Sequence, residues 1–357
     1  MQVENLLKTN NYKSYLEIGD TDTTHFFELA KLFPHIKFNG SYYFDRDLNF
    51  SKLEKNLAEA RKTTSIDFFN GLVEEFFTWN KLTYDVIYLN NKNYSYNTAS
   101  LDFCEAKRIL NNNGVIIVNK TISSQLWKEI KHKDCTEINN LGIWKKAEKV
   151  NLNNVTVVLS AYRNYEAVEP VISTMLNECN FKRIIILTPD EIDTQYENIL
   201  LPKMSISDYS VYVIKQLIND IKLDTEFILL TQPHGFVIDG SAWKNEFLDY
   251  DYIGAPWPSW VHPHYRVGNG GFSLRSKKLM TILQDNKYTA QHPEDAQICR
   301  ILRPALEKEN IEFAPIELAE WFSYESMFKT HQTFGFHAES ERRYYLSYKY
   351  KNTWFYK

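Results

Sequence analysis

Short apolar segments alternate with amphipathic helical patterns along this chain of 357 residues, and the alternation begins twice. The first series opens with the strand pattern "SYLEIG", followed by "DTDTTHFFELAKLF", where Asp and Thr can cap a helix. It continues with the strand patterns "IKFNGSYYFD", "YDVIYLNN" and "GVIIVNK" and with helical patterns at about 50–62, 66–78 and 97–110. Strands that alternate with helices predict a parallel sheet covered by helices on both faces.

The second series begins at Val155, after the polar, Asn- and Lys-rich segment 134–154. It contains the strand patterns "VTVVLSAY", "RIIILTPD" and "EFILLTQPHGFVID" and the helical pattern "DYSVYVIKQLINDI". A hydrophobic content of 44% is enough for two cores in a chain of this length. We therefore predict two Rossmann-like domains of the α/β class, at residues 1–150 and 151–357.

The composition argues against partners that are recognised by bulk charge. The 45 acidic residues nearly balance the 41 basic ones, so neither nucleic acid nor an anionic membrane is expected as a partner. No apolar run is long enough to span a bilayer, and the N-terminus lacks the pattern of a signal peptide. The four cysteines lie far apart, without metal-ligand or redox spacing. A cytoplasmic location is expected, and a homo-oligomer is left open.

Motifs in the first half resemble those of the class I S-adenosylmethionine-dependent methyltransferases, over about residues 12–120. The motifs are, in chain order, "YLEIG", "YYFDRD", "TSIDFF", "YDVIYLNN" and "ILNNNGVIIVNK". The resemblance implies cofactor contacts from Glu17 and Gly19, a ribose contact from Asp45, and places for Asp67 and Asn90 near the adenine and the active-site edge.

The cofactor loop departs from that family. After Gly19 it reads "DTDTT", where the family has further glycines that let the cofactor lie against the backbone. Asp20 and Asp22 would also repel the phosphates of a dinucleotide. Binding of S-adenosylmethionine is not expected, and a retained scaffold is favoured over an active methyltransferase.

Three of the chain's 12 glycines fall within four positions of "VGNGGFSLRSK". Such a cluster marks backbone with positive φ or with a close neighbour. A bulged strand pair around a tight turn would account for Gly268, Gly270 and Gly271. A loop moulded around a ligand is favoured, because Asn269, Arg275 and the motif "IGAPWP" accompany them.

Ordered motifs in the second half resemble a bacterial family of uncharacterised glycosyltransferases, the DUF5672 family, over about residues 155–340. They are "ILLTQPHGFVIDGSAWKNEFLDYDYIGAPWP", "VGNGGFSLRSKKL", "HPEDAQICRILRP", "IEFAPIELAEWFSYE" and "TFGFHA". The resemblance implies a GT-A-like fold that binds a nucleotide-sugar donor and a glycan acceptor.

Five residues are candidates for binding the donor. Tyr162 could stack on the base, and Arg163 and Lys215 could meet the diphosphate. Core packing or a solvated surface charge is the alternative for each of these three. The sequence "QPHG" stands where the family has Gln-Trp-Asp-Gly, so Gln232 is retained and His234 replaces the acidic residue.

The family implies a divalent cation, Mn²⁺ or Mg²⁺, on the leaving diphosphate. Histidine can bind Mn²⁺ but brings no negative charge. The late His337 of "TFGFHA" is the second ligand predicted beside His234, and Asp239 is a weaker candidate. An altered metal site, a reaction without metal and a loss of activity all stay open, as does a structural role for these histidines.

The acceptor and donor sugar are expected at the glycine cluster. Trp257 offers a platform for a sugar face, and Asn269, Gly270 and Gly271 bring polar groups close to sugar hydroxyls.

The predicted catalytic base is Asp295, with Glu294 beside it in "HPEDAQICRIL". An inverting transfer needs a carboxylate that takes the proton of the acceptor hydroxyl. Pro293 at the first helical position would place both acids in the first turn of a helix. The helix dipole alone also favours acids there, so a purely structural role is the alternative.

The leading hypothesis is a glycosyltransferase that builds a bacterial surface polysaccharide or glycoconjugate. A bifunctional enzyme that also methylates the product is the second hypothesis. A non-catalytic sugar-binding or scaffold protein is the third, because both halves depart from their families at chemically important positions.

Overall fold

The computed structural model describes residues 2–19, 23–42, 50–90, 96–121, 124–131, 134–146, 148–162, 165–325 and 333–337. These residues form two compact units, the first extending to residue 146 and the second beginning at residue 148. Each unit has its own sheet and its own buried apolar core. The prediction of two α/β folds is confirmed.

The first unit alternates helices and strands from its beginning. Its helices are α1 (Gln2–Thr9), α2 (Thr24–Leu32), α3 (Phe50–Ala60), α4 (Val73–Trp79), α5 (Tyr96–Ile109) and α6 (Ser124–Ile130). Its strands are β1 (Ser14–Gly19), β2 (Lys37–Tyr42), β3 (Ile66–Asn70), β4 (Tyr84–Asn90), β5 (Leu110–Asn119), β6 (Thr136–Ile138) and β7 (Leu141–Lys145).

In the described residues these strands form one sheet with the order β3-β2-β1-β4-β5-β7-β6. The strands β1 to β5 pair in parallel, and β7 runs antiparallel to β5 and β6. This is a doubly wound order, in which the direction of winding switches between β1 and β4.

Two segments of the first unit differ from the prediction. Residues 66–78 form β3 and α4 rather than one helix, because the apolar spacing of "IDFFN" fits both periods and pairing with β2 decides for the strand. The segment 134–154, predicted as a polar boundary, contains β6 and β7, and its Ile143 and Trp144 are buried. These two strands complete the first sheet.

The second unit contains a second series of strands and helices. Its strands are β8 (Val150–Ser160), β9 (Cys179–Thr188), β10 (Glu197–Leu200), β11 (Phe227–Thr231), β12 (Tyr252–Gly254), β13 (Ser273–Ser276), β14 (Ser323–Tyr324) and β15 (Gly335–Phe336). Its α-helices are α7 (Val168–Glu178), α8 (Ile206–Lys215), α9 (Leu217–Asp220), α10 (Lys277–Ile282), α11 (Glu294–Ala296), α12 (Arg303–Lys308) and α13 (Ile316–Phe322).

Six described strands form the main sheet of the second unit, with the order β10-β9-β8-β11-β13-β12. β8 to β11 are parallel to one another, whereas β13 runs antiparallel to both β11 and β12. In the register, Ser273 at the start of β13 lies opposite Leu230 of β11 and Gly254 of β12. The segments that follow β8, β11 and β12 therefore meet the segment that precedes β13 at one edge of the sheet.

Helix α8 packs on this sheet through an apolar face that includes Val213 and Ile214. Its start is fixed by a capping box, in which the Asp208 backbone N–H donates to Ser205 Oγ over 3.1 Å and the Ser205 N–H donates to the Asp208 carboxylate over 3.4 Å. None of the helices in the described residues has the length and apolar character needed to cross a bilayer.

Candidate active site

The carboxyl edge of the second sheet brings together most of the residues that the sequence analysis singled out. The sequence "QPHG" forms a tight turn directly after β11. The Gln232 N–H donates to the Gly235 carbonyl over 3.1 Å, and the Gly235 N–H donates back over 2.9 Å. The turn places the partly buried His234 beyond the end of the strand. This edge is where α/β sheets commonly bind their ligands.

A late segment of the chain returns to the same turn. β15 pairs in parallel with β14, and its Gly335 also bridges to Val237. The next residue after β15 is His337, whose ring centre lies 4.8 Å from that of His234. The structure thus brings the two predicted histidines together, although they are about a hundred residues apart in the chain.

Both ring nitrogens of His337 have side-chain partners. Nε2 lies 3.3 Å from Gln232 Oε1, and Nδ1 lies 3.0 Å from Glu325 Oε1 and 3.2 Å from Asn269 Nδ2. Glu325 was not predicted as a site residue. The family motif that contains it gave no chemical reason to choose it over its neighbours, and only the pairing of β14 with β15 places it here.

The side chains at this turn do not fit a site for a hard divalent cation. The Asp239 carboxylate instead caps the 3₁₀ helix Gly240–Ala242, accepting from the Ser241 N–H over 2.9 Å and from its hydroxyl over 2.6 Å. In the part of the chain that the structure describes, no three His, Cys, Asp or Glu side chains are grouped so as to hold a metal ion. Mg²⁺ prefers oxygen ligands. Metal binding by His234 and His337 stays a prediction. Equal enzymatic activity in the presence of Mn²⁺ and of EDTA would contradict it.

Each clustered glycine makes room for a different side chain of the protein itself. A Cβ on Gly268 would overlap the Trp257 ring, and a Cβ on Gly271 would overlap the His337 ring. A Cβ on Gly270 would collide with Glu294 and Asp295. None of the described glycines has positive φ. The cluster is therefore explained by close approach of protein side chains to the backbone, and not by left-handed turns.

The two acids lie in the first turn of α11, as predicted, although Pro293 is the N-cap residue and not the first helical one. Asp295 accepts from the Gly270 N–H over 3.0 Å and from the Ala296 N–H over 2.7 Å. Glu294 Oε1 lies 3.1 Å from Nη2 of Arg275. The neighbouring carboxylates thus have different partners.

Burial raises the pKa of Asp295 above the usual range for aspartate, and the negative charge of Glu294 raises it further. Hydrogen bonds from Ala296 and Gly270 and the positive charge of Arg275 oppose this shift. A carboxylate with a raised pKa is a stronger proton acceptor than an ordinary surface aspartate.

The predicted donor-binding residues have structural partners. The Tyr162 hydroxyl donates to the Pro202 carbonyl over 2.8 Å, and its ring packs edge-on against Tyr209. The Lys215 ammonium donates to the carbonyls of Leu283 and Asp285, each over 2.8 Å, just beyond the end of α10. Arg163 lies outside the described residues.

Two tryptophans lie in the loop after β12. Trp257 is half-buried, and its backbone N–H donates to the Arg266 carbonyl over 2.7 Å. Trp260, which the sequence analysis did not select, is 80% exposed. In the sequence, the signal that could have indicated Trp260 was its position three residues after Trp257. This loop presents aromatic surface beside the glycine cluster.

In the first unit, the site implied by the methyltransferase resemblance is filled by the protein's own side chains. Glu17 is fully buried, accepting from the Tyr15 hydroxyl over 2.7 Å and from the Asn90 side chain over 3.1 Å. The Tyr42 ring occupies the space above Gly19, where a Cβ would overlap it. That ring stacks on Phe68, with ring centres 5.2 Å apart. Among the described residues, the Tyr42 ring is therefore the group that lies closest to the Cβ position of Gly19.

Of the other residues implied by that resemblance, Asp67 is exposed near the beginning of β3 and lies 3.8 Å from Lys37 and 3.9 Å from Arg61. It therefore lies away from the carboxyl edge, contrary to the predicted place near an adenine. Asp20, Asp22 and Asp45 lie outside the described residues.

Residues 196–337 match the model of the family DUF5672, described as a protein of unknown function. The recognition made from the motifs is confirmed. A search of curated proteins finds no match.

Among solved structures, the N-terminal part is similar to a caffeoyl-CoA O-methyltransferase from Staphylococcus aureus, with 19% identity and a TM-score of 0.34, over 41% of this chain and 81% of the other. It is also similar to the O-methyltransferase TomG from Streptomyces achromogenes, with 16% identity and a TM-score of 0.29, over 37% of this chain and 60% of the other.

The substitution Gly271→Ala tests the close packing of the DUF5672 segment. The added methyl overlaps the His337 ring, and overpacking of this kind costs about 1–3 kcal/mol of unfolding free energy. In a His337→Ala background the same substitution should cost much less, because the ring is gone. Urea denaturation of the four proteins measures the difference. Equal costs in both backgrounds would contradict the packing described here.

The Tyr42 ring over Gly19 generates a second prediction. We expect calorimetry of the full chain with S-adenosylmethionine to show no binding in the micromolar range, because the cofactor cannot approach the backbone at that position. Micromolar binding by the wild-type protein would show this prediction to be wrong.

Proposed function

We propose that the second unit is a glycosyltransferase, which moves a sugar from a nucleotide-activated donor to a hydroxyl of a glycan or glycoconjugate. The observation that carries the proposal is Asp295, a partly buried carboxylate of raised pKa that accepts from the backbone of a glycine loop at one edge of the second sheet. The Trp257 ring against Gly268 and the exposed Trp260 in the same loop as Trp257 support it, since aromatic rings present flat apolar faces to sugars.

In the proposed reaction, Asp295 accepts the proton of the acceptor hydroxyl while that oxygen attacks the anomeric carbon of the donor sugar. The bond from the anomeric carbon to the diphosphate oxygen breaks, and its electron pair leaves with the nucleoside diphosphate. The reaction inverts the anomeric centre, because attack and departure occur on opposite faces. We assign stabilisation of the leaving diphosphate to the pair His234 and His337, whose ring centres lie 4.8 Å apart.

Methyl transfer is not included in the proposal, because Tyr42 covers the glycine against which the cofactor would lie. A role in bacterial surface polysaccharide synthesis fits the proposed chemistry. A sugar-binding protein without catalysis is the competing possibility, and the experiments below separate the two.

The first experiment is a thermal-shift screen with UDP-, GDP-, CMP- and dTDP-sugars. A ligand that binds the native state raises its apparent stability by mass action, by about 2.7 kcal/mol at a concentration of 100 times Kd. We expect one nucleotide class to raise the Tm, and we expect the protein then to release the nucleoside diphosphate when an acceptor is supplied. Binding without any release would favour the sugar-binding alternative.

Asp295→Asn is the decisive substitution for catalysis. It nearly preserves the shape of the side chain but removes the proton acceptor, so turnover should fall on the order of 10²-fold or more while donor binding is retained. Wild-type turnover should also decline as the pH falls through the raised pKa of Asp295, because only the carboxylate form can accept a proton. A near wild-type rate in Asp295→Asn would place the base elsewhere.

A further inference from the structure

Arg275 is a cation in the interior of the second unit. It lies in β13, opposite Ile228 of β11 and Tyr252 of β12, and its side chain is 1% exposed. A buried charge is costly unless it is paired and hydrogen-bonded. The partners of this guanidinium therefore indicate what it does.

The partners of Arg275 belong to the glycine loop and the acid pair. Nη2 lies 3.1 Å from Glu294 Oε1 and 3.4 Å from the Gly270 carbonyl, and Nε donates to Ser273 Oγ over 3.0 Å. Nη1 is buried and has no hydrogen-bond partner within the described part of the chain. Of the two terminal nitrogens of the guanidinium, Nη2 is the one that pairs with Glu294.

Gly270 is held from both sides by this network. Its carbonyl accepts from Arg275, and its N–H donates to Asp295. Arg275 therefore contacts Glu294 directly in an ion pair. It is connected to Asp295 through Gly270, and Asp295 itself accepts backbone hydrogen bonds from Gly270 and Ala296.

We propose that Arg275 is a positioning residue of the transferase site, which holds Glu294 in an ion pair beneath the glycine loop and leaves Asp295 as the carboxylate that accepts the proton. This inference rests on the proposed function. It gives a physical reason for preferring Asp295 to Glu294 as the base, a preference that the sequence analysis stated without one.

Several groups face Asp295 and set its affinity for the proton. Glu294 lies beside it on α11, Arg275 lies on β13 and Tyr252 on β12, and Cys299 lies on the π-helical segment Gln297–Ile301. Burial and the Glu294 charge raise the pKa of Asp295, and the Arg275 charge lowers it. The opposite signs of these two charges make the proposal testable.

The experiment measures the pH dependence of turnover in Arg275→Met and Glu294→Gln. The acid limb is the part of the profile where turnover falls as Asp295 becomes protonated. Loss of the Arg275 cation should raise the pKa of Asp295 and move this limb to higher pH, whereas loss of the Glu294 carboxylate should lower that pKa and move the limb to lower pH. A purely structural role would lower turnover in both variants without opposite shifts. Shifts in the same direction, or no shift, would overturn the proposal.

Arg275→Met leaves Glu294 buried without its partner, so that variant can fail to fold. The double variant with Glu294→Gln removes both members of the pair, and its acid limb should return toward that of the wild type. Arg303→Met is the matched control, because Arg303 is also a buried arginine paired with a glutamate, Glu307, at 2.8 Å. It should cost stability and leave the acid limb in place.

Carbon-13 NMR of the Asp295 carboxyl group gives a readout that needs no turnover. Its titration midpoint should move up in Arg275→Met and down in Glu294→Gln, in the protein without substrate. If the midpoints move in this way but no donor is consumed, the proposed function fails and the pairing stands. If donor is consumed and the midpoints do not move, the role of Arg275 is wrong and the proposed function stands.

Discussion

Close approach of side chains to the backbone of residues 268–271 is the constraint on which the candidate site depends. The side chains that occupy this space come from distant parts of the chain: Trp257 from the loop after β12, the acid pair from α11, and His337 from the segment after β15. A side chain at Gly268, Gly270 or Gly271 would push one of them away. Because a close-packed interior accommodates an added group poorly, these glycines fix the relative positions of the acids, the imidazole and the indole.

Much of the fold could be predicted from periodicity, whereas pairing between strands decided the remainder. The boundaries of β1 and β4 follow directly from apolar runs that end in a turn residue or a polar residue. The segment 66–78 could not be read in the same way, because its apolar residues satisfy the helical and the strand period at once. The polar segment 134–154 contains two short antiparallel strands, of which β6 is exposed and β7 is buried at its first four residues.

The sequence analysis named most of the candidate residues that lie at one edge of the second sheet, and it noted Arg275 beside the glycines, but it did not predict that Arg275 is buried. In the pattern "FSLRSK" the arginine lies between a leucine and a serine, an alternation that is typical of a strand with one solvated face. β13 instead lies between β11 and β12, and all four of its residues are buried. Burial of that arginine depends on strand order, which the local sequence does not contain. For Lys215 the sequence suggested phosphate binding, but in the structure this lysine donates to two backbone carbonyls.

The two units differ in the kind of side chain that packs on the glycines of their sheet edges. In the first unit an aromatic ring, Tyr42, lies over Gly19 and stacks on a second ring. In the second unit a carboxylate and an imidazole lie over Gly270 and Gly271. A packed aromatic pair adds apolar burial and no group that exchanges protons. Asp295, in the corresponding position of the second unit, is desolvated and lies beside Glu294, and both effects raise its pKa above the usual range for aspartate. Chemical capability in this chain is therefore expected in the unit whose glycines are covered by titratable side chains.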